Sequence, residues 1–309
     1  MHADTGNAVT VRFALPCAAL RPYVTTYYQT QVSASDAEPV IEDHLHPEWP
    51  NLRFMKDGWS QAAIGNTPLG AAPAFAVTGT TTQATRFRVS SGKSWGIGLM
   101  PLGWAMLFGV DASDYADRFA DGNADPAFAT MRPLAQRLAD PVGSEGDLTR
   151  NFASDVAAID AHLAGMLKDN IPYADTITAI NAALVDPDIA SAAALAQCVG
   201  MNLRSLERLS RRAFGFPPKL LLRRQRFLRS LAQFMLDPSL KWLSTMDYQY
   251  YDQAHFVRDF KRFMGMTPGA YAELEKPMLV AAAQARMAIA GEAVQGLHDP
   301  GLNIPDAHQ

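Results

Sequence analysis

DIASAAALAQCVGMNLRSLERLSRRAFG, residues 188–215, is the stretch whose reading decides the fold. Ile189, Ala192, Ala193, Leu195, Ala196 and Val199 are apolar at helical spacing, so the first half is expected to be one helix. Gly200 offers the left-handed conformation that ends a helix without a Cβ clash. Asn202 is a good N-cap for a second helix, because its side-chain oxygen accepts an orphan N–H of the first turn. In that second helix Leu203, Leu206, Leu209, Ala213 and Phe214 fall on one side, and Arg204, Arg208, Arg211 and Arg212 largely on the other. Two short helices, a glycine turn between them and arginines outside form the helix-turn-helix pattern, whose second helix enters a DNA major groove.

Charge supports a local nucleic-acid site. The 309-residue chain has a formal net charge of −4, which taken whole argues against DNA. From Leu203 to Arg229, however, nine Lys or Arg face one acid, Glu207, giving +8 and leaving −12 for the rest. A basic patch on an acidic protein is the footprint expected of a DNA site confined to one region. Hydrophobic residues make up 48% and charged residues 19%, a soluble globular composition large enough for two domains. Cys17 and Cys198 form no disulfide framework, and Cys198, among apolar helix residues, is expected to be a buried thiol. The N-terminus reads as no signal peptide. The apolar stretch Gly96 to Val110 contains Pro101 and is too short for a membrane span. A cytoplasmic, membrane-free protein is expected.

Outward from the quoted stretch, residues 1 to about 120 alternate and turn. Val9–Phe13, Tyr23–Gln29, Leu52–Met55, Ala74–Thr78 and Thr85–Val89 are expected strands, punctuated by Gly and Pro. Many short strands at this spacing predict a barrel or sandwich that can enclose a small-molecule cavity. Pro101 to Gly109 predicts a short helix. Ala127–Leu138 predicts a helix, Pro141-Val142-Gly143 a break, and Asp147–Lys168 a longer helix. Its stripe of Leu148, Phe152, Val156, Ile159, Leu163 and Met166 packs on the β-domain or forms a dimer seam. Ile171-Pro172-Tyr173 marks a boundary, and the chain is helical from there to Met278. Val280–Ala293 predicts a further helix, and Asp299–Gln309 a loose tail.

The helical half repeats its plan. Leu240–Met246 is an expected helix with Leu240, Leu243 and Met246 inward, followed by the turn Tyr248-Gln249-Tyr250-Tyr251. Asp252–Met264 follows with Phe256, Phe260 and Phe263 inward and Gln253, His255, Arg258, Lys261 and Arg262 outward. Gly265-Met266-Thr267-Pro268 ends this helix as Gly215-Phe216-Pro217-Pro218 ends the first. A connecting helix, Lys219–Leu236, lies between the units.

At this point the sequence resembles the AraC/XylS family of bacterial transcription regulators. The resemblance rests on Leu195-Ala196, Gly200-Met201-Asn202, Arg204, Leu206, Arg208, Gly215, Pro218 and Arg226. In the second unit it rests on Tyr251-Asp252-Gln253-Ala254-His255-Phe256, Arg258, Phe260-Lys261, Gly265, Thr267-Pro268 and Tyr271. It covers about a third of the chain. Pro47–Phe54 together with Met100–Trp104 resembles, more loosely, a β-rich N-terminal domain found in one subgroup. The resemblance implies seven helices that lay two recognition helices in successive major grooves on one face of the duplex. It assigns base reading to Arg204, Glu207, Arg208, Gln253, Ala254, His255 and Arg258. Their chemistry agrees: Arg reads guanine, Gln adenine, Glu cytosine N4, and Ala a thymine methyl. Asn202, Ser205, Arg211, Arg212, Lys261 and Arg262 are the expected phosphate contacts. Ser210 stands where the family usually has Phe, Ser230 where it has Ala, and Gln249 where the second unit's turn has Gly.

Plainer readings compete. An arginine-studded helix face is often only solvated, and Glu207 can pair with Arg204 or Arg211 on its own helix. His44, His46 and Glu48 hint at a metal, but a site needs three or four ligands, and none is expected. Asp43 with His44 lacks a nucleophile elbow of the G-x-S-x-G kind. Gly96-x-Gly98 lacks the continuation of a dinucleotide site. Trp49, Trp59, Trp95 and Trp104 line a pocket or fill a core.

The expected architecture is therefore α+β: a β-rich, barrel- or sandwich-like N-terminal domain (1–122) for sensing or assembly, a helical linker (123–170), an all-α DNA-binding domain with two helix-turn-helix units (171–278), and a helical extension with a loose tail (279–309). The expected function is sequence-specific transcription regulation through double-stranded DNA, without catalysis or cofactor. A small-molecule effector at the N-terminal domain, a homodimer and, for an activator, RNA polymerase are the further partners. The alternatives are an enzyme acting through the β-domain and a helical adaptor that binds protein.

Overall fold

The computed structural model describes residues 8–34, 39–139, 151–236 and 242–299. The strands are β1 (Ala8–Ala14), β2 (Val24–Ser33), β3 (Val40–Leu45), β4 (Asn51–Met55), β5 (Ser60–Ile64), β6 (Gly70–Ala71), β7 (Phe75–Thr78), β8 (Thr85–Ser90), β9 (Gly92–Leu99) and β10 (Phe119–Asp121). They form two antiparallel sheets, ordered β1-β2-β9-β4-β7-β10 and β3-β8-β5-β6. The five strands expected from alternation are all present. Strands β3, β5, β6, β9 and β10 lie outside the expected set; β9 ends inside the apolar stretch weighed above as a membrane span, sharing residues 96–99 with it.

Strand alternation divides the larger sheet into two faces. On β4, Leu52 and Phe54 join one hydrophobic core, while Asn51, Arg53 and Met55 line a cavity on the other side. The core face is covered by α1 (Pro101–Leu107), α2 (Arg132–Ala139) and α3 (Phe152–Ala164). Trp104, Phe128, Leu134, Leu138, Ile159 and Leu163 are buried in it. Phe152, Val156 and Met166 also pack there, so the stripe serves the β-domain of its own chain. Leu148 and the 141–143 break lie outside the described residues. The helix expected over Ala127–Leu138 is instead a 3-10 turn, Pro126–Met131, followed by α2.

The helical half comprises α4 (Ala174–Val185), α5 (Ala192–Cys198), α6 (Leu203–Phe214), α7 (Pro218–Leu236), α8 (Trp242–Thr245), α9 (Gln253–Met264) and α10 (Pro268–Glu273). These are seven helices, the number the resemblance implies. Cys198 is exposed, not buried. Leu195 and Ala196 take the inner face of α5, and at about 100° per residue the thiol turns away from them.

A last helix, α11 (Pro277–Ala290), folds back over β1 and β3. The carboxylate of Asp43 on β3 caps it, accepting from the backbone N–H groups of Met278 and Leu279 at 2.8 and 2.9 Å. Beyond α11, Ala293 to His298 are buried against both halves. The expected loose tail, apart from Asp299, lies outside the described residues. No helix among the described residues is long and apolar enough to cross a membrane.

The halves share cores. Trp49 and Leu102 of the β-domain pack with Ile180, Leu206, Phe214 and Leu221 of the helical half. Ala84 packs with Phe260 and Phe263 and donates its N–H to the Phe263 carbonyl at 2.6 Å. His46 Nε2 lies 2.7 Å from the Tyr271 hydroxyl, and burial lowers its pKa to about 3. His46 is thus a neutral interdomain contact. His44, by contrast, sits on β3, and no metal-binding cluster of His, Cys, Asp or Glu occurs among the described residues.

Candidate nucleic-acid interface

The two candidate recognition helices are built alike. Asn202 caps α6, its side-chain oxygen accepting from Ser205 N–H at 2.9 Å. Asp252 caps α9, accepting from His255 N–H at 2.6 Å. Each helix ends on a left-handed glycine, Gly215 (φ 86°) or Gly265 (φ 74°), a conformation strained for a residue with a Cβ. Pro218 and Pro268 then open the next helices, where a missing N–H costs nothing. The C-terminal ends dock on the β-domain: α6 packs against the turn 112–115, and α9 meets Ala84. In the N-terminal turns Arg204, Gln253 and Ala254 are exposed.

On α6, Leu206, Leu209, Ser210, Ala213 and Phe214 are buried, and Arg204, Glu207, Arg208, Arg211 and Arg212 are exposed. Leu203 departs from the expected inner stripe. It is 54% exposed and stands in the first turn beside Arg204, where an apolar tip suits a thymine methyl. Glu207 pairs with Arg211 at 3.4 Å, and Arg212 with Asp111 at 3.4 Å. On α9, Phe256, Asp259, Phe260, Phe263 and Met264 are buried, and Gln253, Ala254, Arg258, Lys261 and Arg262 are exposed. His255 is half-buried, edge-on to Tyr250 and 3.3 Å from Arg226. Tyr251, 93% exposed just before α9, presents a hydroxyl that the sequence reading left without a role.

The basic patch is smaller than the sequence count. Arg223 and Arg226 on α7 both bond the fully buried carboxylate of Asp259 on α9, at 2.5 and 3.2 Å, and Tyr250 donates to it at 3.2 Å. Arg229 bonds Asp247 at 2.5 Å. Arg224 is fully buried, stacked 4.3 Å over the Trp49 ring, and burial lowers its pKa to about 9. Four of the nine cations between Leu203 and Arg229 therefore assemble the domain. Linear counting misplaced them, because α7 runs between the units with these residues on its inner sides. Arg204, Arg208, Arg211, Arg212 and Lys219 are the exposed ones.

The second unit also reaches back to the first. The Tyr248 hydroxyl bonds the Pro187 carbonyl at 2.8 Å and Asp188 at 2.9 Å, and the Gln249 amide donates to the same carbonyl. Gln249 thus fills a glycine position without a left-handed backbone and serves as half of this tie. Ser230, where Ala is usual, bonds the Asp247 N–H at 2.8 Å. The hydroxyl of buried Ser210 has no hydrogen-bond partner among the described residues.

Residues 195–273 match the family model described as a helix-turn-helix domain. This chain is a DNA-binding transcription regulator. The match spans both units and agrees with the resemblance to AraC/XylS regulators. No curated protein matches. Among solved structures, the chain is similar to ToxT from Vibrio cholerae, at 11% identity, covering 87% of this chain and 98% of that one with a TM-score of 0.40. A ToxT structure with bound unsaturated fatty acid gives 12% identity, 88% and 97% coverage, and a TM-score of 0.37. The AraC-like transcriptional activator CuxR gives 15%, 73% and 87%, and 0.29.

The regulator also has a half-open cavity of about 200 Å³ between its two sheets, walled on one side by α11. Leu45, Met55, Phe87 and Val89 make part of it apolar. Its polar lining includes Tyr28, Glu48, Asn51, Arg53, Arg286 and Gln295. Arg53 and Glu48 pair at 2.6 Å. Trp95 lines the cavity and also packs in the core; Trp49 and Trp104 are core residues, and Trp59 is 46% exposed.

Proposed function

We propose that the regulator lays α6 and α9 in successive major grooves on one face of the duplex. The carrying observation is their common build: capped N-terminal turns, C-terminal ends held on the β-domain, and cationic outer faces open to solvent. Arg204, Glu207 and Arg208 read one half-site and Gln253, Ala254, His255 and Arg258 the other. Leu203 adds an apolar contact to the first. Asn202, Ser205, Arg211, Arg212, Lys261 and Arg262 contact phosphates and set the register, and Tyr251 joins them. Phosphate neutralisation supplies much of the affinity. Domains 1–122 and 171–278 divide sensing from DNA binding, with 123–170 packed on the former.

A small effector in the cavity under α11 modulates this binding; the support is a concave, mostly apolar space with a few convergent polar groups. The chemistry is binding without turnover, carried out in the cytoplasm, where Cys17 and Cys198 stay reduced. A homodimer and, in activation, RNA polymerase complete the partners. Selection of bound duplexes from a random pool with the full chain tests the reading. Two half-sites about 10 base pairs apart are expected; a pool that gains no common sequence overturns it.

A further inference from the structure

The C-terminal segment walls the cavity and bridges the two halves of the molecule. Gln295 reaches into the larger sheet: Asn51 donates to its Oε1 at 2.9 Å, and its Nε2 donates to Thr25 Oγ1 at 3.3 Å. The sheet makes room for it at Gly98, where a Cβ would lie 2.5 Å from that Nε2. Gly96-x-Gly98 thus has a packing purpose. The next residue faces the other way: the Gly296 carbonyl accepts from Gln225 Nε2 on α7 at 2.6 Å. Two consecutive residues therefore clasp the β-domain and the helix that carries both DNA-reading units.

Nine residues before Gln295, Arg286 lines the same cavity. Its guanidinium is buried and lies 4.8 Å over the Phe13 ring. Its Nη1 has no hydrogen-bond partner among the described residues. Burial lowers its pKa to about 10, so it is charged at neutral pH. The nearby acid, Glu48, is bonded to Arg53. Arg286 and Arg53 thus line the cavity with one carboxylate, Glu48, already paired to Arg53; among the described residues Arg286 has no ion pair of its own, and a buried charge calls for one.

We propose that segment 277–298 is the regulator's ligand reader: an organic anion with an apolar body enters the cavity, its acid group pairs with Arg286, and the displaced Gln295–Gly296 clasp resets the hold on α7. This rests on the effector reading above. The apolar lining of Phe87, Val89, Leu45 and Met55 takes the body, and a guanidinium takes a carboxylate in two parallel hydrogen bonds. A shift at Gly296 reaches both recognition helices, because α7 is bonded to α9 through Asp259 and packed on α6.

Calorimetric titration of the full chain with octanoate, benzoate and cinnamate, each beside its primary amide, tests the ligand class. At least one acid is expected to bind tenfold or more tightly than its amide, and Arg286→Gln to erase that preference. Amides that bind as well as the acids overturn the anion claim and leave an effector site standing. No binding by any acid or amide removes both the anion claim and the effector reading. The coupling is tested with Gln225→Leu, which lies outside the cavity. It is expected to bind the acid as the wild type does, yet lose a threefold or larger ligand-induced change in affinity for the selected DNA. A retained change overturns the clasp. If this variant does not fold, amide exchange over residues 294–297 of the wild type decides: the acid is expected to alter it, and unaltered exchange overturns the coupling.

Discussion

Arg208 stands in the second turn of α6, exposed and bonded to no neighbouring carboxylate among the described residues, whereas Glu207 and Arg212 already have protein partners. Arg208→Ala is expected to cost about 1–3 kcal/mol of DNA binding and to relax selection at one base pair. Gel-shift titration against single-base operator variants checks both; unchanged selectivity removes Arg208 from the reading set. His46 gives a pH dependence of folding. Its folded pKa is about 3 against about 6.5 in the unfolded chain, so below pH 6.5 the unfolded state binds the extra proton. Stability is therefore lost as the pH falls from about 6.5 toward 3, by up to about 1.4 kcal/mol per unit. His298, lowered to about 4, adds to the same limb. Urea midpoints across this range should fall less steeply in His46→Gln. The reading faces were legible from residue identity, because helical periodicity sorts Arg204 and Arg208 from Leu206 and Leu209. The parts played by Arg224, Arg286 and His46 were not, since each is set by groups 170 or more residues away in sequence or across the domain boundary.

At the scale of elements, α7 holds the second unit by ion pairs, and Asp259 is their hub. Asp259→Asn keeps the shape but removes the charge shared by Arg223 and Arg226. A cost of about 3 kcal/mol is expected, the low end for breaking a buried pair, because both guanidiniums reach solvent. Chemical denaturation followed by protease sensitivity of residues 242–273 measures it; an unchanged midpoint rejects the hub. Helices α6 and α9 announced themselves through caps, glycine stops and following prolines, which are local signals. Strands β3 and β5 escaped notice because they are short and of mixed composition, VIEDHL and SQAAI. Strand β9 escaped because its glycines, which admit Tyr28 and Gln295, broke the alternation.

For the whole molecule, the net charge of −4 conceals a binding surface carried by a handful of exposed cations. If about six phosphates are engaged, a fourfold rise in salt should weaken binding about a thousandfold; a flat response in equilibrium titrations rejects the electrostatic account. Domain order was legible from composition, with strands first and helices after. The return of α11 to the β-domain was not. Nothing in an alanine-rich helix says what it packs on, and its anchor, Asp43, lies 235 residues earlier. The bonds from Tyr248 and Gln249 to the loop at Pro187 have a consequence for the genome the protein serves. They make the pair of readers a ruler with no slack, so the operator must keep a constant interval. One extra base pair between its halves swings one of them by about 34° around the duplex axis. Binding to such a lengthened operator should fall to the level of unrelated DNA, and a protein that tolerates the insertion has a hinge where this tie was thought to be.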